Sequence, residues 1–139
     1  MKYPTKEQIL EKDPAIKQFT IEVVLSWKKE FFKDWKNTPN EVKLERLKYL
    51  ILGILAIAYS NKPWLNIREG NSYYYLPTTY EIYQDKNKPS IISALHELSH
   101  HLYGPSELKA CRWSIYIFRT CFPEMYKKLQ WKNHLLIKK

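Results

Sequence analysis

The chain has 139 residues, 45% apolar, 15% aromatic and 27% charged, a length and balance that fit one globular domain and exclude a disordered chain. Its 23 Lys and Arg against 14 Asp and Glu give a formal charge of +9, which leaves nucleic acid, an anionic surface or an acidic protein open as partners. The excess is C-terminal: Lys127, Lys128, Lys132, Lys138 and Lys139 all follow the last acid, Glu124. A solvated helix face with a frayed tail is the plainer reading of that end.

In chain order, Thr5 and Gln8 have the capping-box spacing for a short first helix. Asp13-Pro14 reads as a cap followed by proline at the first helical position, which predicts a helix to about Lys36. Its apolar residues Ile16, Phe19, Val23, Val24, Trp27, Phe31 and Trp35 recur at steps of three and four, one face turned to a core. Thr38 to Glu41 repeats the capping-box signal and predicts a second long helix to about Ser60. The second half of that helix, Tyr49 to Tyr59, is apolar on every side and belongs in the centre of the fold. It is far shorter than the roughly 20 residues of a membrane span. Gly53 in its middle costs about 1 kcal/mol relative to alanine, and close packing of another element is one reason to keep it.

After Pro63 the composition changes to β-formers, WLNIR, YYYL and TYEIYQ, separated by the turn-formers EGNS and PTT. Three short antiparallel strands are expected. The tyrosines of this segment are read as sheet aromatics, since the interleaved Arg and Lys of a single-strand-binding platform are sparse. Ser90 then caps a helix that Gly104 stops, and further helices are expected to the end. The expected architecture is a single α+β domain: helices over 1–62, a small three-stranded antiparallel sheet over 63–89, a helix over 90–104 and helices over 106–139.

Cys111 and Cys121, on one helix, stand on the order of 15 Å apart, too far to bridge. Two unpaired cysteines and an N-terminus without an apolar stretch predict a reducing, cytoplasmic location.

On the helix after Ser90 stands His96-Glu97-Leu98-Ser99-His100, an H-E-x-x-H arrangement. The two imidazoles, four positions apart, share a face and suit two ligands of one tetrahedral zinc. Glu97, about 100° around the helix, is placed to act on a water at that metal as a general base. From this chain's own His and Glu content, about 0.01 such matches arise by chance. A catalytic zinc keeps three protein ligands and one open position. A metzincin continuation would need glycine at 103 and histidine at 106, where Tyr103 and Ser106 stand, and the thermolysin-type glutamate about twenty residues on meets Arg119 and Thr120. Glu107 is the nearest acid, in the first turn of a helix that Ser106 caps, where the dipole favours a carboxylate. Cys111, one turn on, is the alternative ligand. The face headed by Glu107, with Ala110, Cys111, Ser114, Phe118 and Cys121, begins with small residues that allow close packing on the histidine helix.

The run HELSH, then ELKACRWS and later Phe122-Pro123, resembles the ImmA/IrrE-type (gluzincin-like) metallopeptidases of the zincin-like group over residues 80–123. The resemblance implies a zincin-like domain and a zinc-dependent metallopeptidase, with His96, His100 and Glu107 as metal ligands, Glu97 as catalytic base and one zinc ion as cofactor. It implies a protein or peptide substrate, a regulatory protein in the resembled family, whose DNA-bound targets a basic C-terminal end would suit. It also implies that a substrate strand pairs with a sheet edge, assigned to Tyr80–Gln84. Tyr103 and Tyr83 are candidates for stabilising the oxyanion, while His101 is expected to be structural and His134 solvated. Two other readings stay open: a zinc-stabilised binding module without catalysis, and a basic nucleic-acid-binding protein without metal.

Overall fold

The computed structural model describes residues 3–139. The first helix, α1 (Lys6–Leu10), carries the expected capping box: Thr5 Oγ1 accepts from Gln8 N and Gln8 Oε1 from Thr5 N. The helix expected from Asp13 does not start there. Residues 13–19 are irregular, and α2 is Thr20–Phe31, entered through Phe19 at φ 76. The Asp13 carboxylate is taken by Arg119 at 2.8 Å, so the local cap signal loses to a distant cation. At the far end Asp34, at φ 57, breaks the helix before Lys36, and a 3₁₀ turn follows at Trp35–Asn37. Val24, Trp27 and Trp35 of the expected face are buried, but Phe19 is exposed.

The next helix, α3 (Asn40–Ala58), is capped by Pro39 rather than by Thr38. The Thr38 hydroxyl instead donates to Asp34 O at 2.8 Å and closes the 3₁₀ turn, so the second capping box does not form. As expected, α3 is central, with Leu47, Leu50, Ile51 and Ile54 fully buried, but Tyr49 and Ile57 of its apolar second half are exposed. A Cβ on Gly53 would lie 3.7 Å from Val23 Cγ1 of α2, an ordinary contact. Close packing does not require this glycine.

The sheet is mixed, which corrects the antiparallel expectation. Its strands β1 (Asn66–Gly70), β2 (Tyr74–Leu76) and β3 (Glu81–Asp85) lie in the order β1-β3-β2, with β1 parallel and β2 antiparallel to β3. After Gly70 the chain passes to the far side of the sheet, forms β2, turns at Tyr80 (φ 53) and inserts β3 between the other two. Ile82 and Gln84 of β3 are buried, and Gln84 Nε2 donates to Leu44 O of α3 at 3.1 Å. Tyr80–Gln84 is therefore the middle of the sheet and offers no edge. β2 is the free edge on the side of the next helix.

That helix, α4 (Ile91–Tyr103), begins at Ser90 and stops at Gly104 as expected. Tyr73 pins its start: the hydroxyl accepts from Ser90 N at 2.9 Å and donates to Gln84 Oε1 at 3.3 Å. Next come α5 (Glu107–Cys121), capped by Ser106, and the short α6 (Pro123–Lys127). The small-residue face of α5 is buried as expected, with Ala110 and Ser114 fully covered, and α5 packs closely along α4.

The C-terminal end is not helical, a second correction. β4 (Leu129–Lys132) and β5 (Leu135–Lys138) form an antiparallel hairpin whose two-residue loop holds Asn133 at φ 57. Asparagine tolerates the left-handed conformation that such loops demand. Trp131 and Leu136 pack the hairpin onto Ile9, Cys111 and Ile115, a small cluster beside the main core. Both cysteines are buried and free. Among the described residues no helix is long and apolar enough to cross a membrane.

Candidate metal centre

On α4, His96 and His100 stand one turn apart with ring centroids 5.0 Å apart. Gly104 then reverses the chain with φ 93 and ψ −164, a conformation open essentially to glycine alone. The reversal brings the first residue of α5 over the histidines. Glu107 bridges them, with Oε2 at 3.1 Å from His96 Nε2 and Oε1 at 2.9 Å from His100 Nε2. The three side chains are 22%, 12% and 18% exposed. In a tetrahedral shell with bonds of about 2.1 Å, neighbouring ligand atoms lie about 3.4 Å apart. Each of the two imidazole–carboxylate contacts is a few tenths of an ångström below that spacing.

His100 is also oriented from behind. Its Nδ1 lies 3.0 Å from Gly104 O, while Gly104 N donates to His100 O at 3.0 Å. With Nδ1 donating to that carbonyl, a neutral His100 has an unshared pair at Nε2, and the Glu107 oxygen facing it is an acceptor as well. Two acceptors at 2.9 Å attract only with a cation between them, a proton or a metal ion. Two imidazole nitrogens and a carboxylate are a zinc-type donor set. A carbonyl behind a ligand imidazole is the usual means of fixing its tautomer.

Burial holds the His96 imidazole below its ordinary pKa, against the upward pull of the Glu107 carboxylate. The neutral, ligating form is therefore favoured. Burial also pushes Glu97 up to about 7, with His100 pulling down and Glu107 adding to the rise. A carboxyl in that range suits proton exchange near neutral pH.

Cys111 Sγ is 4.0 Å from His96 Nδ1, the ring nitrogen that does not meet Glu107. Ligand atoms of His96, Glu107 and Cys111 lie within 4.8 Å of one another, a mutual closeness that the set with His100 does not have. The shorter contacts belong to the set with His100. Burial, reinforced by Glu107 and Glu97, pushes the Cys111 thiol up to about 12, so the thiol is protonated when no cation is beside it.

Two cavities flank the cluster, of about 450 and 470 Å³, and Glu97, His100 and Glu107 line both. The sheet side is walled by Tyr74, Tyr75, Pro77 and Tyr80, the opposite side by Ile92, Ile115 and the C-terminal hairpin. The four residues chosen from the motif, His96, Glu97, His100 and Glu107, thus meet at one place.

Neither oxyanion candidate does. Tyr103 hydrogen-bonds the Tyr59 hydroxyl and lines a separate cavity beside Asp13, while Tyr83 stacks on Tyr74 at 4.5 Å on the sheet. His101 is structural as expected, with Nδ1 at 2.8 Å from the Tyr75 hydroxyl and Nε2 at 2.7 Å from Pro63 O. His134 is not a solvated tail residue. It stacks flat on Tyr3 with centroids 4.2 Å apart and lines the cavity with His96 and Glu97. Its signal was the alternating LQWK, then Asn133-His134 and the apolar run LLI, a hairpin pattern. No family model, curated protein or solved structure matches this chain.

Proposed function

We propose that this protein is a zinc-dependent peptidase, with His96, His100 and Glu107 holding the metal and Glu97 acting as general base. The observation that carries the reading is the Glu107 carboxylate set between two imidazole Nε2 atoms, with one of those rings backed by a carbonyl. When bound, zinc supplies an acidified water and polarises a carbonyl. Glu97, on the same helix and at the junction of both cavities, takes the proton from the attacking water and passes it to the leaving amine. The free β2 edge beside the tyrosine-walled cavity is the place for an extended substrate to pair, in place of the Tyr80–Gln84 segment in the middle of the sheet. The exposed lysines at 127, 128, 132, 138 and 139 suit an acidic or nucleic-acid-bound target.

A second reading is favoured by the position of Cys111. With His96 and Glu107 it forms a set whose ligand atoms lie within 4.8 Å of one another, and a thiolate ligand there would make the site a zinc-stabilised binding module without catalysis. The test is cleavage of a quenched-fluorescent random octapeptide library by zinc-loaded protein, beside Glu97→Gln. Cleavage lost in the variant by at least a hundredfold, with zinc retained, is the expected result. Bound zinc without cleavage in the wild type, or a variant as active as the wild type, would overturn the peptidase.

A further inference from the structure

Around α5, Lys109, Arg112 and Trp113 lie on the side away from Glu107, Cys111 and Ser114, by the helical period. There they line a third cavity, of about 380 Å³, closed by Tyr103 at the end of α4 and by the irregular segment after α1. Its body is apolar. Tyr103 and Trp113, with ring centroids 6.3 Å apart, form one wall, and Pro14 and Ala15 form another. The Tyr103 hydroxyl is engaged by Tyr59, so what Tyr103 offers a ligand is its ring. The remaining lining residues, Lys12, Asp13, Lys109 and Arg112, are charged. Lys12 and Lys109 are exposed. Arg112 is held in place, with Nε and Nη2 donating to Gln8 O at 3.1 and 2.6 Å, and Nη1 takes no part in those bonds. The Asp13 carboxylate is taken by Arg119 at 2.8 Å, and Glu11, 3.6 Å from Arg112, is itself 72% exposed. Lys12, Lys109, Arg112 and Arg119 therefore outnumber the carboxylates of Glu11 and Asp13 by two.

We propose that this cavity binds a small aromatic anion, a single ring carrying a carboxylate or a phosphate. The ring lies against Tyr103, Trp113 and Pro14, and the head group stays among Lys12, Lys109 and Arg112. An apolar body with a few charged groups at one side is the usual build of a small-ligand site, and the volume, near the lower end of about 300–1,000 Å³, takes one ring system and its head group. Aromatic walls favour a ring over an aliphatic chain, through stacked or edge-on contacts. The sign of the charge follows from the salt bridge of Asp13: with its carboxylate neutralised by Arg119, an ammonium group finds no free anion on the wall, whereas an anion finds Lys12, Lys109 and Arg112. An arginine already fixed by a backbone carbonyl loses little freedom when an anion arrives. The cavity shares no lining residue with the two at the metal cluster, so it stands or falls independently of the peptidase reading.

The probes are N-acetylphenylalanine and phenyl phosphate, titrated into the full-length protein and followed by the NMR shifts of assigned backbone amides and of the Trp113 indole. Neutral N-acetylphenylalaninamide supplies the ring without the charge, and acetate and inorganic phosphate supply the charge without the ring. The two aromatic anions are expected to give saturable shifts at Tyr103, Lys109, Arg112 and Trp113, to bind at least about tenfold more tightly than the three controls, and to weaken as salt is raised. The tighter of the two identifies the head group. Lys12→Glu with Lys109→Glu is expected to weaken binding at least about tenfold, and Ala15→Trp, which fills the cavity from its exposed wall, to abolish it. Lys12→Arg with Lys109→Arg keeps the charge, retains binding and serves as the folded control. The site would be overturned by no saturation at millimolar ligand, by the amide binding as tightly as the acid, or by equal binding in the folded charge-reversed and Ala15→Trp proteins. Shifts confined to the neighbourhood of His96 and His100 would also overturn it, since the anion is then at the metal cluster.

Discussion

Gly104→Ala separates the two roles of the turn between α4 and α5. At φ 93 and ψ −164 the residue lies where a Cβ is strained, and a Cβ built there meets nothing within 4 Å. The penalty is therefore torsional, about 1–3 kcal/mol, with no steric clash to confuse it. An unfolding entropy of about 2.1 cal/mol/K per residue gives about 0.29 kcal/mol/K for a chain of this length, so the metal-free protein should melt about 3–10 °C lower. The same turn holds Gly104 O against His100 Nδ1 and sets Glu107 over both histidines. Loss of such a supporting contact weakens metal binding by about 10–100-fold. Thermal unfolding in chelator reads the first effect, and competition with a chromophoric zinc chelator reads the second. A variant that melts within about 1 °C of the wild type and binds zinc equally well would refute the assignment of strain and support to Gly104.

Gly53→Ala has the opposite sign. With 3.7 Å to the nearest Val23 atom, alanine should raise the melting temperature by about 3 °C, from about 1 kcal/mol of helix propensity; a lower one means that α2 and α3 cannot accommodate the methyl group. Cys111→Ser should leave zinc stoichiometry unchanged and affinity within about tenfold, measured by chelator competition. Loss of the metal in that variant would mean that Cys111 is a ligand and that the structural reading of the site is correct.

Much of the site was legible because its signals are local. The spacing of His96, Glu97 and His100 follows the helical period, and Ser90, Gly104 and Ser106 mark by residue type where the two helices start and stop. Glu107 is near the histidines because one short turn separates them. The features that sequence missed depend on distant partners. Asp13 has a good capping sequence but pairs with Arg119, and Thr38 turns back to Asp34. Strand order in the sheet follows from β3 inserting between β1 and β2, which strand propensity does not encode. The contact of His134 with Tyr3 joins opposite ends of the chain, so a histidine in a basic tail gave no sign of lining the cavity. A hairpin could have been read at Asn133, but its place beside the histidine–glutamate cluster comes from Trp131 and Leu136 packing beside α5.

The most direct test of the account is zinc content per chain, in protein purified without a histidine tag or added metal, for the wild type, His96→Ala and Glu107→Ala. The account predicts close to one zinc in the wild type and loss from both variants, with each variant still folded by circular dichroism. A wild type without metal that takes up none when zinc is supplied, or a Glu107→Ala protein that keeps its zinc, would contradict it.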